Sequence, residues 1–259
     1  MKIATWNVNS IRMRLERVLP WLEQHRPDVL CMQETKVEDE LFPVEELARL
    51  GYRVVAHGQK TYNGVALVAR QDIAEVARGL GDGGDDAQAR LIAGNVRGVR
   101  VVSVYVPNGG TVGSDKYAFK LDWLRRLRAY LETRCDPGQP LVVAGDFNVA
   151  PEDRDVHDPT AWAGEILCSE PEREGLRQVA AWGLTDAFRR LHPEPGFFTW
   201  WDYRMLGFAK GRGLRIDHMY VTAPLLERCT DVAIDREARK GKQPSDHAPV
   251  VLTLREPGE

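Results

Sequence analysis

A carboxylate stands beside an imidazole in Pro244-Ser245-Asp246-His247-Ala248-Pro249, a proline-bounded turn leading into the apolar run Val250-Val251-Leu252. Other apolar runs also carry chemistry-capable residues at an end: 3–6 before Asn7, 29–32 before Gln33-Glu34, 141–144 before Gly145-Asp146-Phe147-Asn148, and 214–216 before Asp217-His218. Short apolar runs bounded by turn residues read as buried strands, and open sheets carry ligands at their strand ends. These ends are therefore expected to meet in one site.

Glu34 and Asp246 each border a buried run, where a carboxylate is costly unless it meets a cation or donors. A Mg²⁺ ion, which takes one or two protein carboxylates and fills its octahedron with water and phosphate oxygens, satisfies both; an ion pair with Arg or Lys would satisfy either alone. Asn7 and Asn9, two apart on one strand face, are placed to orient Glu34 or to hold the metal's water. Asp217 paired with His247 would fix the ring's tautomer, and an imidazolium beside a phosphate would stabilise transition-state charge. His218, on the opposite strand face from Asp217, reads as a structural histidine. Asp146 and Asn148 share a face of an extended segment, with Phe147 turned away, so an acid and an amide address one water: Asp146 as general base, Asn148 as donor. The competing reading of Gly-Asp-x-Asn is an Asx turn. Tyr105, followed by Pro107 and Asn108, could donate to a phosphate oxygen or assist the leaving group, or simply pack. Trp200 lies in the aromatic segment 197–204, ahead of a loop with Met205, Leu206, Phe208, Lys210 and Arg212. Apolar wedges beside cations can unstack a duplex step, and an aromatic wall can hold an extruded nucleotide or bare sugar.

Positioning these groups requires strands at 2–7, 29–33, 53–56, 65–69, 91–96, 99–106, 141–144, 198–201, 216–221 and 250–254, enough for two sheets. Helical spacing appears in Ile11, Leu15, Val18, Leu19 and Leu22 and in Leu121, Leu124, Leu127 and Leu131. Ser169-Glu170-Pro171-Glu172 has capping-box spacing and an early proline, which marks a helix start before Leu176, Val179 and Trp182. Strand-helix-strand order over 2–33 suits a parallel crossover, and 91–106 reads as a hairpin turning at Arg97-Gly98. The expected fold is α/β: a four-layer αββα sandwich of two mixed β-sheets flanked by helices. The long loops are 79–88, 107–116, 150–168 and 203–214, of which the first looks like plain surface.

The chain has 259 residues and is 43% hydrophobic, without repeats or a linker-like stretch, so residues 1–259 are expected to form one domain. Its formal net charge of −3 argues weakly against a nucleic-acid partner. Distribution can override that total: Lys210, Arg212 and Arg215 cluster, as do Arg236, Arg239, Lys240 and Lys242. Cys31, Cys135, Cys168 and Cys229 are scattered without metal-ligand spacing and read as buried thiols of a reducing compartment. The N-terminus carries no leader-like apolar core, and no apolar run approaches ~18 residues. A cytoplasmic monomer without membrane contact is expected.

In chain order, Trp6-Asn7-Val8-Asn9-Ser10-Ile11-Arg12, Gln33-Glu34-Thr35-Lys36, Tyr105-Val106-Pro107-Asn108-Gly109, Gly145-Asp146-Phe147-Asn148, Thr199-Trp200-Trp201-Asp202-Tyr203-Arg204, Gly213-Leu214-Arg215-Ile216-Asp217 and Ser245-Asp246-His247-Ala248-Pro249 resemble the exonuclease III family of abasic-site DNA endonucleases, within the DNase I-like metal-dependent phosphodiesterases. The resemblance implies Mg²⁺-dependent cleavage 5′ to abasic sites in duplex DNA, with 3′-to-5′ exonuclease and removal of blocked 3′ ends; Mn²⁺ would substitute. It further implies that Glu34 binds the metal with Asn7 and Asp246, that Asp146 activates water, and that Asn148, Tyr105 and His247 contact the phosphate. Asp217 would orient His247, Trp200 would line the abasic-sugar pocket, and Asn108, Lys210 and Arg212 would contact DNA. Asn108 stands where related exonucleases often have Gln, and residues 153–168 match the family pattern poorly. The rival readings are a related phosphodiesterase acting on RNA or a phospholipid or inositol phosphate, and a non-catalytic DNA-binding module.

Overall fold

The computed structural model describes residues 1–84, 88–256 and 258; part of the expected surface stretch 79–88, at 85–87, lies outside the described residues. One sheet contains β1 (Lys2–Asn7), β2 (Val29–Gln33), β3 (Arg53–His57) and β4 (Val65–Ala69). The other contains β5 (Ala74–Arg78), β6 (Leu91–Val96), β7 (Val99–Tyr105), β8 (Leu141–Asp146), β9 (Leu184–Asp186) and β10 (Asp217–Thr222). The chain then returns to the first sheet with β11 (Cys229–Ile234) and β12 (Val250–Leu254). The orders are β11-β12-β1-β2-β4-β3 and β5-β6-β7-β8-β10-β9, six strands each.

The helices are α1 (Ile11–His25), α2 (Val44–Arg49), α3 (Asp115–Arg134), α4 (Glu170–Ala180), α5 (Ala187–Leu191) and α6 (Ala223–Leu226). The four expected layers follow from alternation along the strands. Ile3, Cys31 and Leu67 of one sheet meet Ile92, Val101, Val142 and Met219 of the other between the sheets. Ala4, Trp6, Leu30 and Met32 turn outward beneath Ile11, Val18 and Leu22 of α1 and Leu47 of α2. On the far side Val102, Val104 and Val143 lie beneath Trp123, Leu124 and Leu127 of α3 and Leu176 of α4. Each fully buried aliphatic side chain contributes roughly 1.5–3 kcal/mol relative to exposure.

Local signals hold where they were strong. Ser169 and Glu172 form the reciprocal capping box at the start of α4. Strands β1 and β2 pair in parallel across α1, and β6 and β7 pair through Arg97-Gly98, whose φ of 51° and 76° suits a tight hairpin turn. Three expectations fail. Residues 198–201 do not form a strand: Trp200 makes isolated bridges to Leu214 and His247. The strands β5, β9 and β11 were missed because edge strands lack a full apolar alternation; β11 is mostly exposed or half-buried. All four cysteines are free, as expected, but Cys135 and Cys229 are only half-buried. Among the described residues no helix is long and apolar enough to cross a membrane.

Candidate active site

Two parallel pairings and two antiparallel ones bring the chemistry to a single edge of the sandwich. Strands β1, β2, β7 and β8 run toward that edge and end at Asn7, Gln33, Tyr105 and Asp146. Strand β10 runs the opposite way, so Asp217 opens it rather than ending it and lies opposite Asp146. Strand β12 likewise starts at this edge, pairing Val250 with Thr5, so the Asp246-His247 turn arrives beside the end of β1. That turn is pinned by residues not singled out from sequence. Ser245 Oγ donates to the Asn7 carbonyl at 2.6 Å and accepts from the His247 amide at 3.2 Å, while Trp6 Nε1 donates to the His247 carbonyl at 3.2 Å.

Asn7 joins the two sheets chemically. Its Nδ2 donates to Glu34 Oε1 at 2.8 Å and to Asp146 Oδ2 at 2.9 Å. Within its own sheet, Gly145 lets β8 lie close against β7, since a Cβ there would sit 1.9 Å from the Val104 carbonyl oxygen. Asp146 and Asn148 do converge, but through the Asx turn rather than along an extended face. Asn148 adopts φ 50°, and its amide N donates to Asp146 Oδ1 at 2.9 Å. Its side-chain nitrogen donates to Asp146 Oδ2 at 3.2 Å and to the Val106 carbonyl at 3.0 Å.

His247 is 3% exposed, with Nδ1 2.9 Å from Asp217 Oδ2 and Nε2 3.8 Å from Asp146 Oδ2. Burial alone would favour a neutral ring, but the charges of Asp217 and Asp146 and the Asp217 hydrogen bond outweigh it and raise the pKa to about 10. The two flanking carboxylates therefore favour the charged ring. For Asp146, burial dominates and pushes the carboxyl up to about 7, opposed by His247 and reinforced by Asp217 and Glu34. Burial, with Glu34 and Asp146 nearby, likewise holds the Tyr105 phenol well above its ordinary pKa, and it stays protonated. Arg90 covers the Tyr105 ring at 4.7 Å. His218 is the structural residue expected. Its Nδ1 faces Arg215 at 2.9 Å and its Nε2 the Val149 carbonyl at 2.8 Å, and burial lowers its pKa to about 4.

The expected metal residues part company. Glu34 Oε2 is 2.7 Å from Lys36 Nζ, and Glu34, Asp146 and His247 each offer one ligand atom within 4.8 Å of the others. Asp246 stands outside that group, its oxygens accepting from Asn9 Nδ2 at 2.9 Å and Trp200 Nε1 at 3.0 Å. Asn9 follows the end of β1 with φ 45°, so it does not share a strand face with Asn7. It orients Asp246 instead and accepts from Lys36 Nζ at 2.7 Å. As to fit, the cluster offers the hard carboxylate oxygens of Glu34 and Asp146 and no thiolate, which suits Mg²⁺ or Mn²⁺. Glu34 is the carboxylate of the cluster that is not engaged with His247, whereas Asn7 presents Nδ2 rather than Oδ1 to it and would have to turn its amide to ligate.

The pattern of the endonuclease/exonuclease/phosphatase family matches residues 4–247, which span every site residue just described. The chain belongs to this family. Exodeoxyribonuclease III of Haemophilus influenzae is 37% identical over 262 residues, covering 96% of this chain and 98% of that protein. Among solved structures, an AP endonuclease from Archaeoglobus fulgidus superposes with a TM-score of 0.96 at 42% identity, covering 99% of this chain and 100% of that one. The 3′ phosphatase NExo from Neisseria, solved with a product DNA hairpin, gives 0.95 at 43% identity, again covering 99% and 100%.

The remaining expected contacts of this family member lie around the same edge. Trp200 is half-buried, packed on Val156, Leu167, Leu214 and Ile216 while its indole reaches Asp246. Asn108 is exposed and donates to Asn148 Oδ1 at 3.2 Å. Lys210 and Arg212 are exposed and make no ion pair among the described residues, on a loop where Met205 and Leu206 are 74% and 68% exposed. Of the other basic residues, Lys240 and Lys242 are exposed near Arg236, with Lys240 paired to Glu237. Arg215 is buried against Asp155 and Asp186, and Arg236 and Arg239 lie over the rings of Trp201, Tyr203 and Phe208. Loop 150–168 is anchored by this network, with Asp155 fully buried between Arg189 and Arg215. Lys36 was available from sequence, two residues after Glu34; Arg90 carried no signal of its own.

Proposed function

We propose that residues 1–259 form one catalytic domain of a DNA-repair phosphodiesterase that cleaves duplex DNA 5′ to abasic sites, trims 3′ ends and removes 3′ blocks. One observation carries the reading: the buried Asp146 carboxylate stands 3.8 Å from an imidazole ring that a second buried aspartate, Asp217, holds in place. Asp146 can accept the proton of an attacking water, because its raised pKa brings it near the operating pH. The new water-oxygen-to-phosphorus bond replaces the bond to the departing sugar oxygen. His247 and Asn148 stabilise the charge that accumulates on phosphorus-bound oxygens. The protonated Tyr105 is a donor for a phosphate oxygen or the leaving oxygen, and Asp217 keeps His247 charged and oriented. Glu34 would hold Mg²⁺, joined by Asn7 once its amide turns Oδ1 inward, with Asp246 adding negative charge from the Asn9 and Trp200 side. When bound, the ion supplies Lewis-acid neutralisation of the phosphate. Lys210 and Arg212 are free to meet backbone phosphates, and Trp200 lines the recess for a base-less sugar. The similarity to exodeoxyribonuclease III, AP endonuclease and 3′ phosphatase NExo supports DNA as the substrate over RNA or an inositol phosphate.

A panel of duplex with one abasic analogue, undamaged duplex, duplex ending in a 3′ phosphate, RNA and a phosphoinositide tests this. Cleavage of the damaged DNAs should vanish in excess chelator and return with Mg²⁺ or Mn²⁺. Asp146→Asn should lower kcat by roughly 10²-fold or more while duplex binding survives. Turnover confined to RNA or lipid, or full activity in chelator, would refute the reading.

A further inference from the structure

Lys120 and Glu172 form an ion pair that is 0% exposed on both sides, well away from the surface where lysines ordinarily sit. Taking two charges out of water is expensive, and such a pair often contributes little to stability. The ammonium has three protons, and the structure accounts for all of them. One goes to Glu172, one to the Asn148 carbonyl at 2.6 Å and one to the Asn108 carbonyl at 3.1 Å. Those two carbonyls belong to separate loops, after β7 and after β8, and each carries a side-chain amide at the active edge. The amides themselves touch, with Asn108 Nδ2 3.2 Å from Asn148 Oδ1.

The aliphatic stem takes part as well. Gly109, at φ 93°, lies so close that a Cβ there would sit 3.0 Å from Lys120 Cδ and 2.9 Å from Ile166 Cδ1. The loop is thus seated on the lysine, and a side chain at 109 would lift it. Behind the pair, Glu172 Oε1 accepts from the Ser169 amide at 2.9 Å and the Ser169 hydroxyl at 2.7 Å, and Tyr117 meets that hydroxyl at 2.6 Å. The chain of contacts runs from α4 through α3 to both loops.

We propose that Lys120 is a positioning residue for hydrolysis: its ammonium, anchored by Glu172, ties the backbone of Asn108 to that of Asn148 and so sets the Asn108 amide on Asn148 and the Asn148 amide on Asp146. The inference rests on the phosphodiesterase reading above. Misplacement of a catalytic group by about 1 Å can reduce the rate roughly 10²-fold, so a tie between two loops suffices to matter.

Three variants test it: Lys120→Met, Glu172→Gln and the pair of substitutions together. Either single change leaves a buried group without its partner and should lower Tm. The double change removes both charges, keeps an acceptor for Ser169, and should recover most of that Tm. Activity should not follow. On abasic duplex, assayed well below every Tm, the double variant should retain KM within about 2-fold while kcat stays roughly 10-fold or more below that of the unmodified protein. Recovery of kcat together with Tm would make the pair merely structural and overturn the proposal, as would a double variant that does not fold. Absence of cleavage by the unmodified protein would instead count against the phosphodiesterase reading.

Discussion

Removing a single N–H from Trp200 separates its two contacts. The indole Nε1 donates to Asp246 Oδ2 at 3.0 Å, while the ring packs on Val156, Leu167, Leu214 and Ile216. Trp200→Phe deletes the hydrogen bond and keeps most of the packing, and its backbone bonds to Leu214 are untouched. A hydrogen bond to a charged group contributes about 1.5–3 kcal/mol, and the half-buried Asp246 places this one at the lower end. About 1.5 kcal/mol corresponds to roughly a tenfold loss in kcat/KM, expected equally on abasic duplex and on an undamaged 3′ end if, as proposed, Asp246 serves both. Trp200→Ala removes the wall as well and should lose about a further tenfold on abasic duplex alone, since an aromatic surface stacked on a nucleotide is worth ~1–3 kcal/mol. Tm should fall by only a few degrees for the phenylalanine variant, at about 2–4 °C per kcal/mol in a chain of this size. Steady-state kinetics on the two substrates, beside thermal melts, check each figure. A phenylalanine variant with unchanged kcat/KM on both would show that the indole does not hold Asp246 for the chemistry. A large fall in Tm with unaltered substrate preference would return Trp200 to the core.

Lys210 and Arg212 are exposed and without ion-pair partners among the described residues. Replacing both with Ala should weaken duplex binding uniformly across sequences and flatten the salt dependence by about one unit of slope per lost phosphate contact; an unchanged slope would exclude them from the interface. His218 gives a pH signature of opposite sense to that of His247. Its native pKa of about 4 lies below the ordinary value of 6.5, so the unfolded chain takes up a proton first as pH falls. The stability carried by its neutral ring is complete above about pH 6.5 and is lost as pH falls toward 4, amounting to roughly 3 kcal/mol. Urea unfolding of the unmodified protein and of His218→Gln across that range should show a shallower pH dependence in the variant, and parallel curves would contradict it. For His247 the raised value reverses the sign: its charge stabilises the fold in full below about pH 6.5, and that contribution is lost as pH rises through about 10.

Much of the frame was legible in the sequence because it rests on local physics. Strands β1, β2, β4, β6 and β12 match their apolar runs residue for residue, since each run is buried and bounded by turn residues. The capping box of α4 and the Arg97-Gly98 hairpin need only a few neighbouring residues to specify them. The polar ends of those runs likewise marked the site. What the linear chain does not carry is which of them meet. Asp217 faces Asp146 because β10 runs antiparallel to β8, and Glu34 meets Asp146 rather than Asp246 because Asn7 bridges the two sheets. Asn148 reaches the site through a positive φ, not through the strand alternation that sequence spacing suggested. Lys120 carried no signal in the sequence and Arg215 read as one of a basic cluster with Lys210 and Arg212; only burial against Glu172, Asp155 and Asp186 reveals their places. Propensity and patterning act over a handful of residues, so the sequence alone determined the elements and the chemical types at their ends. Long-range packing sets the distances and dielectric that make a carboxylate a base or an imidazole a cation, and those were decided only by the tertiary structure.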